Sequence, residues 1–403
     1  MRYDPSKLAL RLGVMGSLKL YFMGIFGGVA ADKWLGQKKS VFVGGIFIIL
    51  GQFSMAIEGI IFFYTGLVFL VIGVGLLKPN ISTMVGGLYK QGDSKRDAGF
   101  TLFYIGINIG ALAAPIIVGT VAEKIGWHLG FSIAGFGMII GQIVYIAFRK
   151  HLDGVGDLLK HSKTNAHLAN QPLTKIEKDR VIVLLISFLI VIVFWAAYEQ
   201  AGGLMNLYAR DKVDRFIFGW EMPTSYFQSL HAFYVVVIGA PMAWFWLKWS
   251  KKGKESSAIF KSAVGMIVMS LSFLVLMGAV YDASLSAIGK SPVYWLLIAY
   301  LMHVIAELSI SPVALSFITK LAPVKYASIM MGAYFAIVGI GNKAAGVLGE
   351  MAQDAGEMTI FGAIAAACFI IGVLLFLLVK KLKEMSHGAE DLNETKPTFV
   401  VPE

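Results

Sequence analysis

Long apolar runs dominate this chain, eleven of them, at residues 12–31, 41–58, 60–88, 99–122, 126–148, 181–209, 225–247, 258–281, 292–319, 327–349 and 358–379. About 20 apolar residues are what an α-helix needs to cross the hydrocarbon layer of a bilayer. Within that layer every backbone amide must be paired inside the protein, so only helices and closed barrels span it. The runs lack the alternation of polar and apolar residues that barrel strands show, which excludes an outer-membrane barrel. The expected fold is all-α, a polytopic membrane protein with eleven visible spans. Only 15% of the residues are charged, against roughly 25% in soluble domains. The single cysteine, Cys368, excludes a disulfide framework and a cysteine-based metal cluster.

Five runs precede a polar break and six follow it. The break, 149–180, holds seven Lys/Arg and three His in 32 residues and is too short for two further spans. It ends on Thr174 and Glu177, a capping-box spacing that predicts a helix running into the sixth run. The chain therefore divides into an N-terminal helical bundle (1–148), a linker (149–180), a C-terminal six-helix bundle (181–381) and a polar tail (382–403) read as disordered. Of the 35 Lys and Arg, 24 fall on the side of the linker, 8 on the other, and Lys19, Lys78 and Lys343 within spans. Basic loops stay in the cytoplasm, so the linker and the C-terminus are expected there, in an integral, multi-pass protein of the cytoplasmic membrane. The net charge of +10 is then topology and not a nucleic-acid surface. Eleven spans that end inside require the N-terminus outside. A helix before Met1 would make the arrangement six plus six, and the chain is read as lacking its first helix.

Ionisable residues within spans cost roughly 2.5–3.5 kcal/mol each at a helix centre and normally have a partner or a purpose. Lys78 precedes Pro79, Asn80 and Ser82, a kinked and polar stretch; it either serves a site or snorkels to the headgroups. Glu199 closes the stretch that begins at Phe194 and Trp195. A carboxyl in low dielectric beside a cation can load and release a proton as its surroundings change, whereas an interfacial acid would merely cap a helix. Glu307 lies five residues before Pro312 in apolar surroundings. Asn108 and Tyr104 give one helix an amide and a phenol among spaced glycines, for binding or for packing. The loop after the first run contains Gly28, Asp32, Lys33, Gly36, Lys38 and Lys39 in the pattern G-x-x-x-D-K-x-x-G-x-K-K, which gates the helices or only orients them.

That loop resembles the inter-helix motif of the major facilitator superfamily, and the two halves suggest its parallel repeats. Together with Lys78-Pro79-Asn80, the Phe103–Ala111 stretch, Phe194–Gln200, Tyr226–Ser229, Glu307–Pro312, Leu321–Pro323 and Met330–Gly332, it closely resembles the proton-coupled oligopeptide transporter family. The resemblance implies symport of di- and tripeptides by alternating access, driven by protons, with no cofactor and no metal. It implies that Lys78 meets the peptide carboxylate and Glu307 the amino group. Asn108 binds the amino end or backbone, Tyr21 the peptide body, and Glu199, with Glu307, couples protonation. His231 and Tyr334 are further substrate-binding candidates. Both are departures, standing where the family usually has Asn (followed by Pro) and Trp; Gly24 and Ala111 replace a usual proline and serine, and the family's Glu-x-x-Glu-Arg-Phe helix is absent. His231 either titrates near the amino end or is a satisfied polar residue. The partners expected are small peptides and lipid, with no nucleic acid, and the chain is read as monomeric. No phosphate loop, metal-ligand cluster or nucleophile with a base supports an enzyme. The rival readings are a truncated, inactive family member and a symporter of another small amine or carboxylate.

Overall fold

The computed structural model describes residues 22–90, 93, 95–114, 117–118, 121, 125–152, 154–158, 171–217, 219–222 and 226–390. Tyr21, Lys19, the first half of the first apolar run, part of the linker and tail residues 391–403 lie outside them. Helix α1 covers 22–30 and leads into a π-turn, Ala31–Leu35. There follow α2 (Gln37–Met55), α3 (Ile60–Gly87), α4 (Arg96–Ala114), α5 (Trp127–Phe148), α6 (Lys175–Tyr198), α7 (Leu204–Lys212), α8 (Tyr226–Lys251), α9 (Ala258–Leu285), α10 (Tyr294–Leu321), α11 (Ala327–Ala355) and α12 (Glu357–Met385). Among the described residues ten helical stretches are long and apolar enough to cross a membrane, one for each of the second to eleventh runs.

Local chemistry sets the boundaries. Thr174 and Glu177 form the expected capping box, each side chain taking the other residue's backbone N–H, and α6 starts there. Ser257 caps α9 by accepting the Phe260 N–H. Gly356, at φ 79, turns the chain from α11 directly into α12, a left-handed conformation that favours glycine. The sixth run is not one α-helix. It breaks at a 3₁₀ turn, Glu199–Ala201, before α7, so Glu199 sits at a helix end inside an apolar stretch. On the same side as this end, Val213–Asp214 pairs in parallel with Ser291–Pro292 and ties the end of α7 to the start of α10.

Burial ranks the helices. The apolar window of α10 is 72% buried, whereas the window containing α5 is 11% buried. An apolar helix that buries so little faces lipid, while α10 runs through the centre, packed against α4, α8, α9 and α11. In the N-terminal part α2 packs on α3 and α5, and in the C-terminal part α9 packs on α10 and α12. The two parts meet through α4 with α8 and α10, and α3 with α11. The α1–α11 crossing is close: a Cβ added to Gly332 would come within 2.2 Å of the Gly24 carbonyl oxygen, and one added to Gly28 within 2.3 Å of that of Ser328.

The polar tail begins later than expected. Helix α12 continues to Met385, and residues 386–390 fold back onto the linker side of the molecule. Arg180 donates to the carbonyls of Ser386 (3.0 Å) and His387 (3.1 Å), and the Glu390 carboxylate accepts the Ala258 N–H (2.8 Å). Backbone carbonyls supply most of these acceptors, so side-chain composition alone reads this stretch as disordered.

Candidate functional site

Four helices converge on Glu307. Its helix, α10, buries an almost continuous stretch from Ala306 to Val313, and the Glu307 side chain is 1% exposed. A carboxylate so placed needs partners, since an unpaired buried charge is strongly destabilising. Tyr104 of α4 donates its hydroxyl to Oε1. His231 of α8 brings Nε2 to 2.9 Å from Oε2, and the Tyr198 hydroxyl of α6 lies 3.0 Å from the same nitrogen. The Tyr198 ring meets the imidazole edge to face, with centroids 5.3 Å apart. Glu307 thus joins a residue of the N-terminal helices, 203 positions away, to three of the C-terminal ones.

Lys78 comes from the N-terminal helices. It sits on α3 beside Pro79, and its ammonium stands 4.7 Å from the centroid of the Phe335 ring on α11. Its charge interacts with that of Glu199, which in turn feels Glu307 and His231. Tyr334, 2% exposed, packs against Phe188 and Phe335. Asn108 lies one turn after Tyr104, but its amide nitrogen donates to the Tyr104 carbonyl at 3.0 Å. The structure therefore gathers Glu307, His231, Glu199 and Lys78 into one electrostatic unit and leaves the amide nitrogen of Asn108 bonded to its own helix. Tyr21 lies outside the described residues.

The loop motif divides as well. Asp32 accepts the backbone N–H groups of Ser328 (3.3 Å) and Ile329 (2.9 Å) in the first turn of α11, where unpaired N–H groups and the helix dipole favour an anion. Gly28 lets the backbones meet there. Gly36, at φ 76, ends the π-turn. Lys38 pairs with Asp157 of the linker at 3.1 Å, and Lys33 is exposed.

Sequence reasoning missed three features. Tyr104 and Tyr198 are visible in their motifs, but nothing local shows that both serve Glu307 and His231. His303 is fully buried one turn before Glu307, with Nδ1 3.0 Å from the Ala299 carbonyl and no hydrogen bond at Nε2; the i, i+4 spacing to Glu307 was the available signal. The third feature is a clamp on the linker side. Asp97 of α4 takes Lys261 of α9 (2.6 Å), Lys320 of α10 (2.7 Å) and the Ser316 hydroxyl (2.5 Å), while Arg96 donates to the Thr319 carbonyl (3.0 Å). It borders a cavity of about 250 Å³ also lined by Trp246, Glu255 and Glu390. As sequence, these lysines counted only toward topology. Among the described residues no three His, Cys, Asp or Glu side chains gather as a metal site requires.

The sequence profile of the POT family matches residues 38–165 and 157–364. The chain belongs to the POT family. The peptide transporter YePEPT of Yersinia enterocolitica subsp. palearctica is 31% identical over 92% of this chain and 85% of its own length. The di-/tripeptide transporter of Lactococcus lactis subsp. lactis is 30% identical over 92% of this chain and 85% of its own. The crystal structure of a mutant of the peptide transporter POT in complex with alafosfalin superposes with a TM-score of 0.71 at 30% identity, covering 96% of this chain and 90% of that one. The POT-family match agrees with the all-α, membrane-spanning architecture read from the apolar runs.

Proposed function

We propose that this POT-family chain is a proton-coupled symporter of di- and tripeptides, working by alternating access across the cytoplasmic membrane without a cofactor, as a monomer surrounded by lipid. The observation that carries the reading is the buried Glu307 carboxylate shared between Tyr104 of the N-terminal helices and His231 of the C-terminal ones. A zwitterionic peptide needs one anion and one cation at separated points of a cavity with tolerant walls. Glu307 serves the α-ammonium and Lys78 the carboxylate, with Asn108, Tyr334 and Tyr21 along the peptide body. Glu199, charge partner of Lys78, carries the coupling proton: when it is protonated, the lysine is released toward the substrate.

The bundles 1–148 and 181–381 rock about the linker 149–180. The 24-to-8 bias of basic residues makes the linker side cytoplasmic. The Asp32 and Asp97 contacts close that side in the arrangement described here, and their rupture opens the path inward. Uptake of alanyl-alanine into proteoliposomes, acidic outside and negative inside, tests the reading. Accumulation that collapses with a proton ionophore is expected, and Glu199→Gln should lose driven uptake while keeping peptide exchange. No ionophore-sensitive accumulation by the wild type would overturn it, and unchanged driven uptake in the variant would remove Glu199 from the coupling.

A further inference from the structure

The carboxylate assigned to the peptide ammonium has a neighbour at each oxygen, a hydrogen bond at Oε1 and, at Oε2, the close approach of an imidazole without a hydrogen bond. Oε1 takes the Tyr104 hydroxyl and Oε2 lies 2.9 Å from His231 Nε2. Glu307 is 1% exposed, whereas the His231 side chain keeps 14% of its surface open, so an approaching solute meets the imidazole before the carboxylate. An imidazole that donates its N–H and an alkylammonium compete for the same carboxylate oxygen, each as an N–H donor at about 2.7–3.0 Å. With Oε1 taken by Tyr104 and Glu307 1% exposed, an ammonium reaches Oε2 only by moving the ring that stands 2.9 Å from it.

We propose that His231 is the internal occupant of the substrate's ammonium site, holding Glu307 while no peptide is bound and displaced from it by the peptide's α-ammonium. This rests on the peptide reading above and adds a specificity determinant to it. The groups against the ring are Tyr198 from the end of α6 and Glu307 from α10, with Tyr104 of α4 on the other oxygen of Glu307; the charges of Glu199 and His303 also reach it. Glu199 is the other carboxylate whose charge reaches the ring. A blocked amino group cannot displace the ring, so the site selects a free basic amine over an acylated one. The serine and tyrosine hydroxyls lining the helices could not impose that choice, since they bind either.

Chemical modification of the wild-type protein reads the displacement directly. The full chain in detergent is treated with diethylpyrocarbonate, and the label on His231 is quantified by peptide mass spectrometry. Alanyl-alanine and alanine amide, which both carry the ammonium, should speed labelling of His231 severalfold, and N-acetyl-alanyl-alanine should leave it unchanged. In binding measurements His231→Gln, which keeps a neutral donor of similar reach, should tighten alanyl-alanine about tenfold at mildly acidic pH, as expected if only a minor fraction of the wild type has Glu307 free. The acetylated peptide should change far less. Labelling that does not respond to either amine overturns the proposal, as does equal weakening of both peptides by His231→Gln. If alanyl-alanine neither binds nor is transported, the peptide reading falls, and the response to alanine amide still decides whether an ammonium displaces the ring.

Discussion

The carboxyl of Asp32 receives two backbone N–H groups from the start of α11, yet burial pushes it up from 3.8 to about 6. Desolvation is the largest cause and outweighs the hydrogen bonds from Ser328 and Ile329 that favour the charged form. Asp32 lies past the end of the first apolar run, in the loop proposed above to close the linker side, so on that proposal its titration bears on closure. Because the closed form binds the proton more tightly, the contact is most favourable below about pH 4 and weakens as pH rises through about 6, by on the order of 3 kcal/mol across that window if the open form restores the ordinary value. Spin labels at Lys39 and Val324, both exposed, report the distance across this side; the buried Cys368 does not compete for label. The distance distribution should shift toward the open form between pH 4 and 6.5 in the wild type, and Asp32→Asn should flatten that shift. An unchanged slope in the variant would assign the pH dependence to another group.

Elements follow the same logic of close approach against added volume. Helices in lipid gain nothing from hydrophobic expulsion, so α1 and α11 associate by backbone contact through Gly24, Gly28 and Gly332. Gly332→Ala puts a methyl 2.2 Å from the Gly24 carbonyl oxygen, in a backbone that cannot yield without moving a helix. Linker-side closure should be lost or weakened, seen as a longer distance between the same labels. Gly141→Ala, with open space around it, should leave that distance unchanged. The spans, the capping box at Thr174 and the intramembrane charges Lys78, Glu199 and Glu307 were all legible in the sequence, because long hydropathy, local hydrogen bonding and the cost of a buried charge are properties of a segment. The 3₁₀ break at Glu199 was not, since the apolar composition continues through it into α7. Nor was the pairing of Tyr104 with Glu307 across 203 positions, or the docking of 386–390, because both depend on which helices become neighbours.

At the scale of the molecule, the proposed closing of the linker side predicts a dependence on the charge balance between the two groups of helices. Asp97 from α4 holds two lysines, Lys261 and Lys320, that belong to α9 and α10, and the side chains of the three residues are 22%, 5% and 11% exposed. Cations this close and this dry repel unless the carboxylate lies between them. Asp97→Asn leaves that repulsion uncompensated, and breaking a buried ion pair from one side costs roughly 3–5 kcal/mol. The variant should therefore populate the form open on the linker side, with the label distance lengthened at all pH values and net uptake slowed. Glu390 lines the same cavity and its charge reaches both lysines, so Asp97→Asn combined with Glu390→Gln should open that side further than either change alone. The decisive combination removes the charges together: Asp97→Asn with Lys261→Met and Lys320→Met eliminates the repulsion along with the attraction. If balance of charge is what closes this side, the triple variant should return most of the way to the short distance, because apolar side chains of similar volume replace a buried ionic cluster at little cost. If the clamp instead acts through the hydrogen bonds of Asp97 alone, including the one from Ser316, the triple variant should stay as open as Asp97→Asn.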